Sequence, residues 1–150
     1  MPTWLAGLLA VLAGAGLSAQ IAVNVHLRQG AGHPAIAAFI SFQVGALILL
    51  AALLATRLPW PSLADLARVP FWAWGGGLLG AYYVFSTIAL APRLGAALFV
   101  VLVIGGQLTT ALAIDQLGLL GAKGPPLDAW RLAGAALVVA GVVLLNRTGA

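Results

Sequence analysis

The chain has 150 residues, of which 63% are hydrophobic and only 7% are charged, whereas a soluble domain is about 25% charged. So few charges cannot cover the surface of a soluble fold, and the composition therefore predicts an all-α, polytopic membrane protein. The net charge of +4 comes from basic residues scattered singly along the chain, which excludes a nucleic-acid-binding patch, and the absence of cysteine excludes disulfides, thiol catalysis and thiolate metal sites.

Five apolar segments are long enough to cross a bilayer. The hydrocarbon core is about 30 Å thick, so a helix needs about 20 apolar residues to span it. The first segment is too long for the core of a signal peptide, and we expect it to remain as a membrane helix. Together the segments predict a single transmembrane domain over residues 1–150, with helices at about 4–25, 35–55, 71–90, 94–120 and 127–145.

Polar residues, glycines and prolines separate these helices. The first helix is predicted to end in a polar cluster that includes Arg28, and Pro34 suits the first turn of the second helix. Ser62-x-x-Asp65 is typical of a capping box, which predicts a short interfacial helix before the third span. Pro92-Arg93 predicts a tight turn into the fourth span, and a loop at 121–126 precedes the fifth.

Tryptophan positions support the count of five spans. Tryptophan prefers the headgroup region of a bilayer. Every tryptophan falls at a helix end on the N-terminal side: Trp4, Trp60, Trp72, Trp74 and Trp130. A missed or invented helix would scatter these residues over both sides.

Basic residues give almost no bias in orientation. Four lie on the N-terminal side and three on the other: Arg57, Arg68, Lys123 and Arg131 against Arg28, Arg93 and Arg147. Such a balance favours insertion in both orientations and an inverted pair of subunits, an arrangement that transporters use around a midplane site. The alternative is a fixed topology set by the weak bias and the first helix.

Uncharged polar residues are the main candidates for a site. Gln20 and Asn24 share one face of the first helix, Tyr83 lies in the third and Gln107 in the fourth. Such groups need hydrogen-bonding partners in hydrocarbon, and each by itself is explained by bonding between helices. As a set over three helices, they predict a polar cavity that binds a substrate.

Asp115 is the only acidic residue in the interior of a predicted span, since Asp128 lies at the start of the fifth. An ionisable group within a span is a candidate for ion coupling, because its burial is costly. Alternatively, the fourth helix reaches the interface near Ile114, which would leave this carboxylate among headgroups. Asp65 and Asp128 are explained by helix capping and by local ion pairs with Arg68 and Arg131.

Small residues predict close helix packing and, with it, dimerisation. Gly76 and Gly80 form a small-xxx-small pair, and Gly134 and Gly141 lie on nearly one face of the fifth helix. His26 and His33 have no carboxylate near them in sequence, so we expect no metal site. No nucleophile and base can be paired for catalysis, and we expect neither a cofactor nor an enzyme.

In its motifs the chain resembles the YdcZ-type inner-membrane exporters of the drug/metabolite transporter superfamily. The matching stretches follow each other over nearly the whole chain: Gln20-x-x-x-Asn24-x-x-Leu27-Arg28, Ser41-Phe42-x-x-Gly45, Gly76-x-x-x-Gly80-Ala81, Pro92-Arg93-Leu94-Gly95-Ala96, Gly106-Gln107-Leu108, Ile114-Asp115-x-x-Gly118 and Arg131-x-x-Gly134.

The resemblance implies a half-sized transporter of the inner membrane. Its relatives pair as antiparallel homodimers or with an oppositely oriented paralogue, and they also occur as fused, double-length proteins. The small multidrug resistance proteins of the same superfamily exchange protons at a glutamate in the first helix. This sequence contains no glutamate, so Asp115 is the only carboxylate that could take that part.

These observations lead to one hypothesis and two alternatives. We expect a secondary transporter for a small polar or amphipathic molecule, working by alternating access with a site at Gln20, Asn24, Tyr83 and Gln107. A passive solute or ion channel would conduct much faster and without competition between substrates. A non-transporting assembly subunit would need the polar residues for stability alone.

Overall fold

The computed structural model of the chain describes residues 1–121 and 128–147, and every regular element in these ranges is helical. The all-α, polytopic fold is therefore confirmed. Four helices of the described ranges have the length and apolar composition of membrane spans, and a shorter apolar helix follows them. The predicted loop beyond Gly121 and the start of the fifth span at Leu127 lie outside the described residues.

The first helix, α1, runs over Thr3–Ala31. At about 1.5 Å per residue it is about 44 Å long, well beyond the apolar core of a bilayer. The helix therefore continues past the predicted end at residue 25, and Asn24 and Arg28 lie within it. The apolar run marks the membrane boundary, whereas the helix ends where Gly32 adopts a left-handed conformation with φ 77° and donates its N–H to the Arg28 carbonyl at 2.8 Å.

The second helix, α2, covers Pro34–Thr56. His33 caps it by accepting the N–H of Ala35 on Nδ1 at 3.2 Å, and Pro34 occupies the first turn as predicted. Because only Gly32 and His33 separate α1 from α2, the two helices are antiparallel neighbours.

A short interfacial helix, α3, covers Leu63–Ala67 and confirms the predicted capping box. The Ser62 hydroxyl accepts the Asp65 N–H at 3.1 Å and donates to the Asp65 carboxylate at 2.6 Å. These two bonds are local, so they begin the helix without any tertiary contact.

The third span begins as a 3₁₀ turn at Phe71–Gly75 and continues as α4 over Gly76–Leu94. The prediction ended this span at residue 90 and placed a turn at Pro92-Arg93. In the structure the helix passes through Pro92, because proline removes one backbone hydrogen bond without requiring a turn. The break comes at Gly95, whose φ of 81° is costly for any other residue.

The last two helices are α5, over Ala96–Leu117, and α6, over Ala129–Arg147. The prediction carried the fourth span to residue 120, but Gly118 ends α5 in a left-handed conformation with φ 61°. Its N–H donates to the Ile114 carbonyl. Asp128 caps α6, accepting the Arg131 N–H at 2.8 Å, as its predicted capping role requires.

The chain separates into two compact units, Met1–Arg93 and Leu94–Ala150. The first unit has a small core in which Ala37 and Ala38 of α2 pack with Val84 and Ile88 of α4, joined by Leu27 of α1. In the second, α5 packs on α6, where Val142 approaches Gly105. The single transmembrane domain stays a prediction.

Large apolar side chains cover much of the outside of both units. Leu47 is 65% exposed, Leu79 is 70% exposed and Leu137 is 73% exposed. An exposed apolar surface of this extent is stable in lipid and not in water, which is consistent with a location in the membrane.

Candidate functional site

Asn24 is the polar side chain that the first unit buries without satisfying it. Only 3% of the residue is exposed, and its Nδ2 has no hydrogen-bond partner in the described part of the chain. A buried amide donor without a partner costs about 1–3 kcal/mol. The free donor therefore needs an acceptor that the described residues do not supply.

Thr87 is the other buried polar residue of this unit, and its hydroxyl is bonded. The residue is 2% exposed, and its Oγ1 donates to the Val84 carbonyl at 2.7 Å, within the same helix. Such a bond to a preceding carbonyl is the usual local solution for a threonine in a membrane helix. A buried polar side chain of the first unit can therefore find a hydrogen-bond partner within its own helix, which Asn24 Nδ2 does not.

The other predicted lining residues differ in burial and in the unit that contains them. Gln20 lies one turn before it on the same face of α1 and is exposed. Tyr83 is partly buried and packs against the core of α2 and α4. The structure thus places three of the four predicted lining residues in the first unit, and Gln107 is exposed in the second.

Arg28, predicted to lie in the polar cluster at the end of the first helix, forms a hydrogen bond inside the first unit. Its Nη1 donates to the Ile88 carbonyl of α4 at 3.3 Å. Arg28 lies one turn after Asn24 on the same face of α1, so it stands between Asn24 and the end of the helix. The spacing of four residues between Ile88 and Pro92 indicates that the Ile88 carbonyl needs another donor, but not that Arg28 supplies it.

Asp115 is paired and lies close to the end of its helix. Its carboxylate is 3.7 Å from the Arg131 guanidinium, and the two side chains are about a third exposed. Asp115 falls in the last turn of α5, and Arg131 falls in the first turn of α6. About 30 Å of helix separates Gly95 from Asp115, which matches the thickness of the hydrocarbon core.

An open cleft of about 470 Å³ accompanies this ion pair between α5 and α6. Apart from the two charged residues it is lined by Leu108, Ala111, Leu112, Gly134 and Ala135. The cleft therefore combines an apolar wall with a neutralised pair of charges.

The glycines predicted to pack helices differ in their surroundings. A Cβ at Gly80 would lie 3.5 Å from Phe42 Cζ, so α4 approaches α2 there. At Gly76, Gly134 and Gly141 no described atom lies within 4 Å of the Cβ position. A role in close helix packing stays a prediction for all four glycines, since 3.5 Å is an ordinary van der Waals distance.

Comparisons with known proteins find a family that matches the sequence of this chain. The family model described as "Putative inner membrane exporter, YdcZ" matches residues 5–144. The chain is 31% identical over 140 residues to the "Inner membrane protein YdcZ" of Escherichia coli (strain K12), and the match covers 91% of each chain. No solved structure matches the chain significantly.

Proposed function

Because the chain belongs to the family of YdcZ-type inner-membrane exporters, we propose that it exports small polar or amphipathic molecules by alternating access as an antiparallel homodimer. The chain is a multi-pass protein of the inner membrane. Membership of this family favours transport over catalysis.

The observation that carries the proposal is the unpartnered amide of Asn24. Natural folds rarely bury a free donor, because water or a neighbouring group normally satisfies it. A transport site is a place where a donor is left free for a substrate that comes and goes. We therefore propose Asn24 as the central binding residue, with Gln20 and Tyr83 in the same unit beside it. A binding role for Gln107 stays a separate prediction.

The chemistry around Asn24 supports an uncharged or amphipathic substrate. The helices α1, α2 and α4 contain no acidic residue, so they offer no counter-ion for a cationic substrate. The Nδ2 donor suits an acceptor such as a carbonyl, hydroxyl or ether oxygen. The core residues nearby are aliphatic and would contact the apolar part of such a molecule.

Asp115 is not needed at this site. Its ion pair with Arg131 near the ends of two helices explains its presence structurally. Coupling of transport to an ion through Asp115 is therefore a separate proposal, and the variant described in the Discussion tests it.

Substitution of Asn24 tests the site. Purified protein would be reconstituted in liposomes loaded with a panel of neutral, amphipathic fluorescent dyes, and efflux of the dyes would be measured. We expect Asn24→Ala to lower the efflux rate of a transported dye at least tenfold, while Gln20→Ala and Gln107→Ala have smaller effects. Full efflux by all three variants at equal protein levels would refute the site.

The same assay separates transport from the two alternatives. A channel would release every permeant dye without competition between dyes, and a non-transporting subunit would release none.

Orientation is tested by labelling a single cysteine, which the cysteine-free sequence allows without other changes. Ala64→Cys in α3 places the thiol at an exposed position. A membrane-impermeant maleimide should label about half of the protein in intact cells, and the rest after permeabilisation, if insertion is dual. Labelling from one side only would contradict the homodimer and point to an oppositely oriented paralogue.

A further inference from the structure

The third span contains a carbonyl that its own helix cannot satisfy. Pro92 lies inside α4, four residues after Ile88. In an α-helix the N–H of residue i bonds the carbonyl of residue i−4, and proline has no N–H. The Ile88 carbonyl is therefore left without its ladder donor at a residue that is 0% exposed.

Arg28 supplies the missing donor from another helix. Its Nη1 lies 3.3 Å from the Ile88 oxygen in a partly buried position. Freed carbonyls in membrane helices are usually satisfied by a neighbouring helix or by water. Here the donor is a charged group with several N–H bonds, so one contact replaces the lost backbone bond without filling the capacity of the guanidinium. We call this hydrogen bond between Arg28 and Ile88 the latch.

The latch borders a cavity in the first unit. A cavity of about 390 Å³ is lined by Val25, Arg28, Gln29, Gly32 and Pro92. It therefore reaches the two residues that create the latch, Arg28 and Pro92. Asn24 lies one turn deeper along the same face of α1, while Thr87 and Ala91 beside the latch are buried.

We propose that Arg28 is a positioning residue of the transport site, whose bond to Ile88 holds the end of α4 against α1 and separates Asn24 from this cavity. If residue 92 had a backbone N–H, that N–H would bond the Ile88 carbonyl within α4. The end of α4 would then have no bond to Arg28 that could break. Breaking the latch lets the end of α4 move away from α1 and opens a path from the cavity to Asn24. The proposal rests on the alternating-access mechanism proposed above.

A double-mutant cycle between Arg28 and Pro92 tests the latch directly. Pro92→Ala restores an N–H that can bond the Ile88 carbonyl, and Arg28→Met removes the donor while keeping an aliphatic stem. The probe is Thr87→Cys, a substitution of similar size at a buried position, labelled with a small, membrane-impermeant thiosulfonate in proteoliposomes.

We expect Arg28→Met to raise the labelling rate of this cysteine about tenfold when residue 92 is proline. In the Pro92→Ala background the same substitution should change the rate by less than about twofold, since the restored N–H satisfies the carbonyl. Arg28→Lys keeps a charged donor, so the cysteine at position 87 should be labelled more slowly in this variant than in Arg28→Met. Arg93→Met is the matched control, because Arg93 is an exposed arginine next to Pro92, and its labelling rate should not change.

An equal rise in both backgrounds would overturn the proposal, as would no rise in the proline background. If Arg28→Met prevents folding, recovery of folded protein by Pro92→Ala supports the latch, and loss in both backgrounds refutes it. Full efflux by Asn24→Ala, Gln20→Ala and Gln107→Ala would refute the proposed transport site while leaving this labelling cycle unchanged, so the two failures are distinguishable.

Discussion

The two compact units differ in where their polar side chains lie and in how those side chains are paired. In the first unit Asn24 is 3% exposed, lies within a membrane helix and has an unpartnered Nδ2. In the second unit Asp115 and Arg131 form an ion pair, are about a third exposed and lie near helix ends. The buried, unpartnered amide is therefore energetically the more costly of the two positions, because exposed ion pairs near helix ends are inexpensive.

The largest expected effect follows from removing the buried amide. Asn24→Leu keeps the number and branching of the side-chain heavy atoms but removes the hydrogen-bond donor. We expect dye efflux to fall at least tenfold, while the free energy of unfolding rises by about 1 kcal/mol because an unsatisfied buried group is gone. Efflux from liposomes and thermal unfolding in detergent measure the two quantities.

Opposite changes in activity and stability would distinguish a binding residue from a structural one. Gln20→Leu is the control for stability alone, since it lies on the same face of α1 at an exposed position, and we expect it to change the free energy of unfolding by less than about 0.5 kcal/mol. If Asn24→Leu instead unfolds the protein, the amide has a structural partner and the contrast between the units disappears.

The two units also differ in how tightly their glycines are surrounded. Gly80→Leu should destabilise the first unit by about 1–3 kcal/mol, because the added carbons would overlap the Phe42 ring, 3.5 Å from the Cβ position. Phe42→Ala in the same chain should recover part of the loss. Thermal unfolding in detergent measures both changes.

Gly134→Leu is the corresponding change in the second unit, where the Cβ position faces open space. Within one chain it should cost little. If the small residues of α6 form the subunit interface, this substitution should instead shift the detergent-solubilised protein from dimer to monomer in light-scattering measurements.

Much of the fold could be predicted from sequence because its signals are local. The apolar runs identify the membrane segments, and the Ser62 and Asp128 caps form from residues within the same turn. Helix ends were less accurate, since hydropathy identifies the hydrocarbon boundary and not the end of a helix. The true ends lie at Gly32, Gly95 and Gly118, each with a positive φ.

The site could be predicted only in part, because tertiary contacts decide which polar residue is satisfied. Gln20 and Asn24 look alike in sequence, one turn apart on the same face, yet one is exposed and the other is buried. The partner of Arg28 is 60 residues away in the chain, at Ile88. The ion pair of Asp115 with Arg131 likewise joins two helices, whereas sequence spacing had suggested only a local pair for Arg131.

We expect the smallest effect from a substitution in the ion pair of the second unit. Asp115→Asn removes the carboxylate charge but keeps the size of the side chain. Since both partners are about a third exposed, we expect a loss in unfolding free energy of about 0–1 kcal/mol, and a change in dye efflux of less than about twofold. The stability difference should shrink further in high salt, because salt screens exposed charges.

A loss of efflux of tenfold or more, confined to conditions with an imposed proton gradient, would assign ion coupling to Asp115. In that case a polar group can be paired and partly exposed and still be functional, and the distinction drawn between the two units would fail.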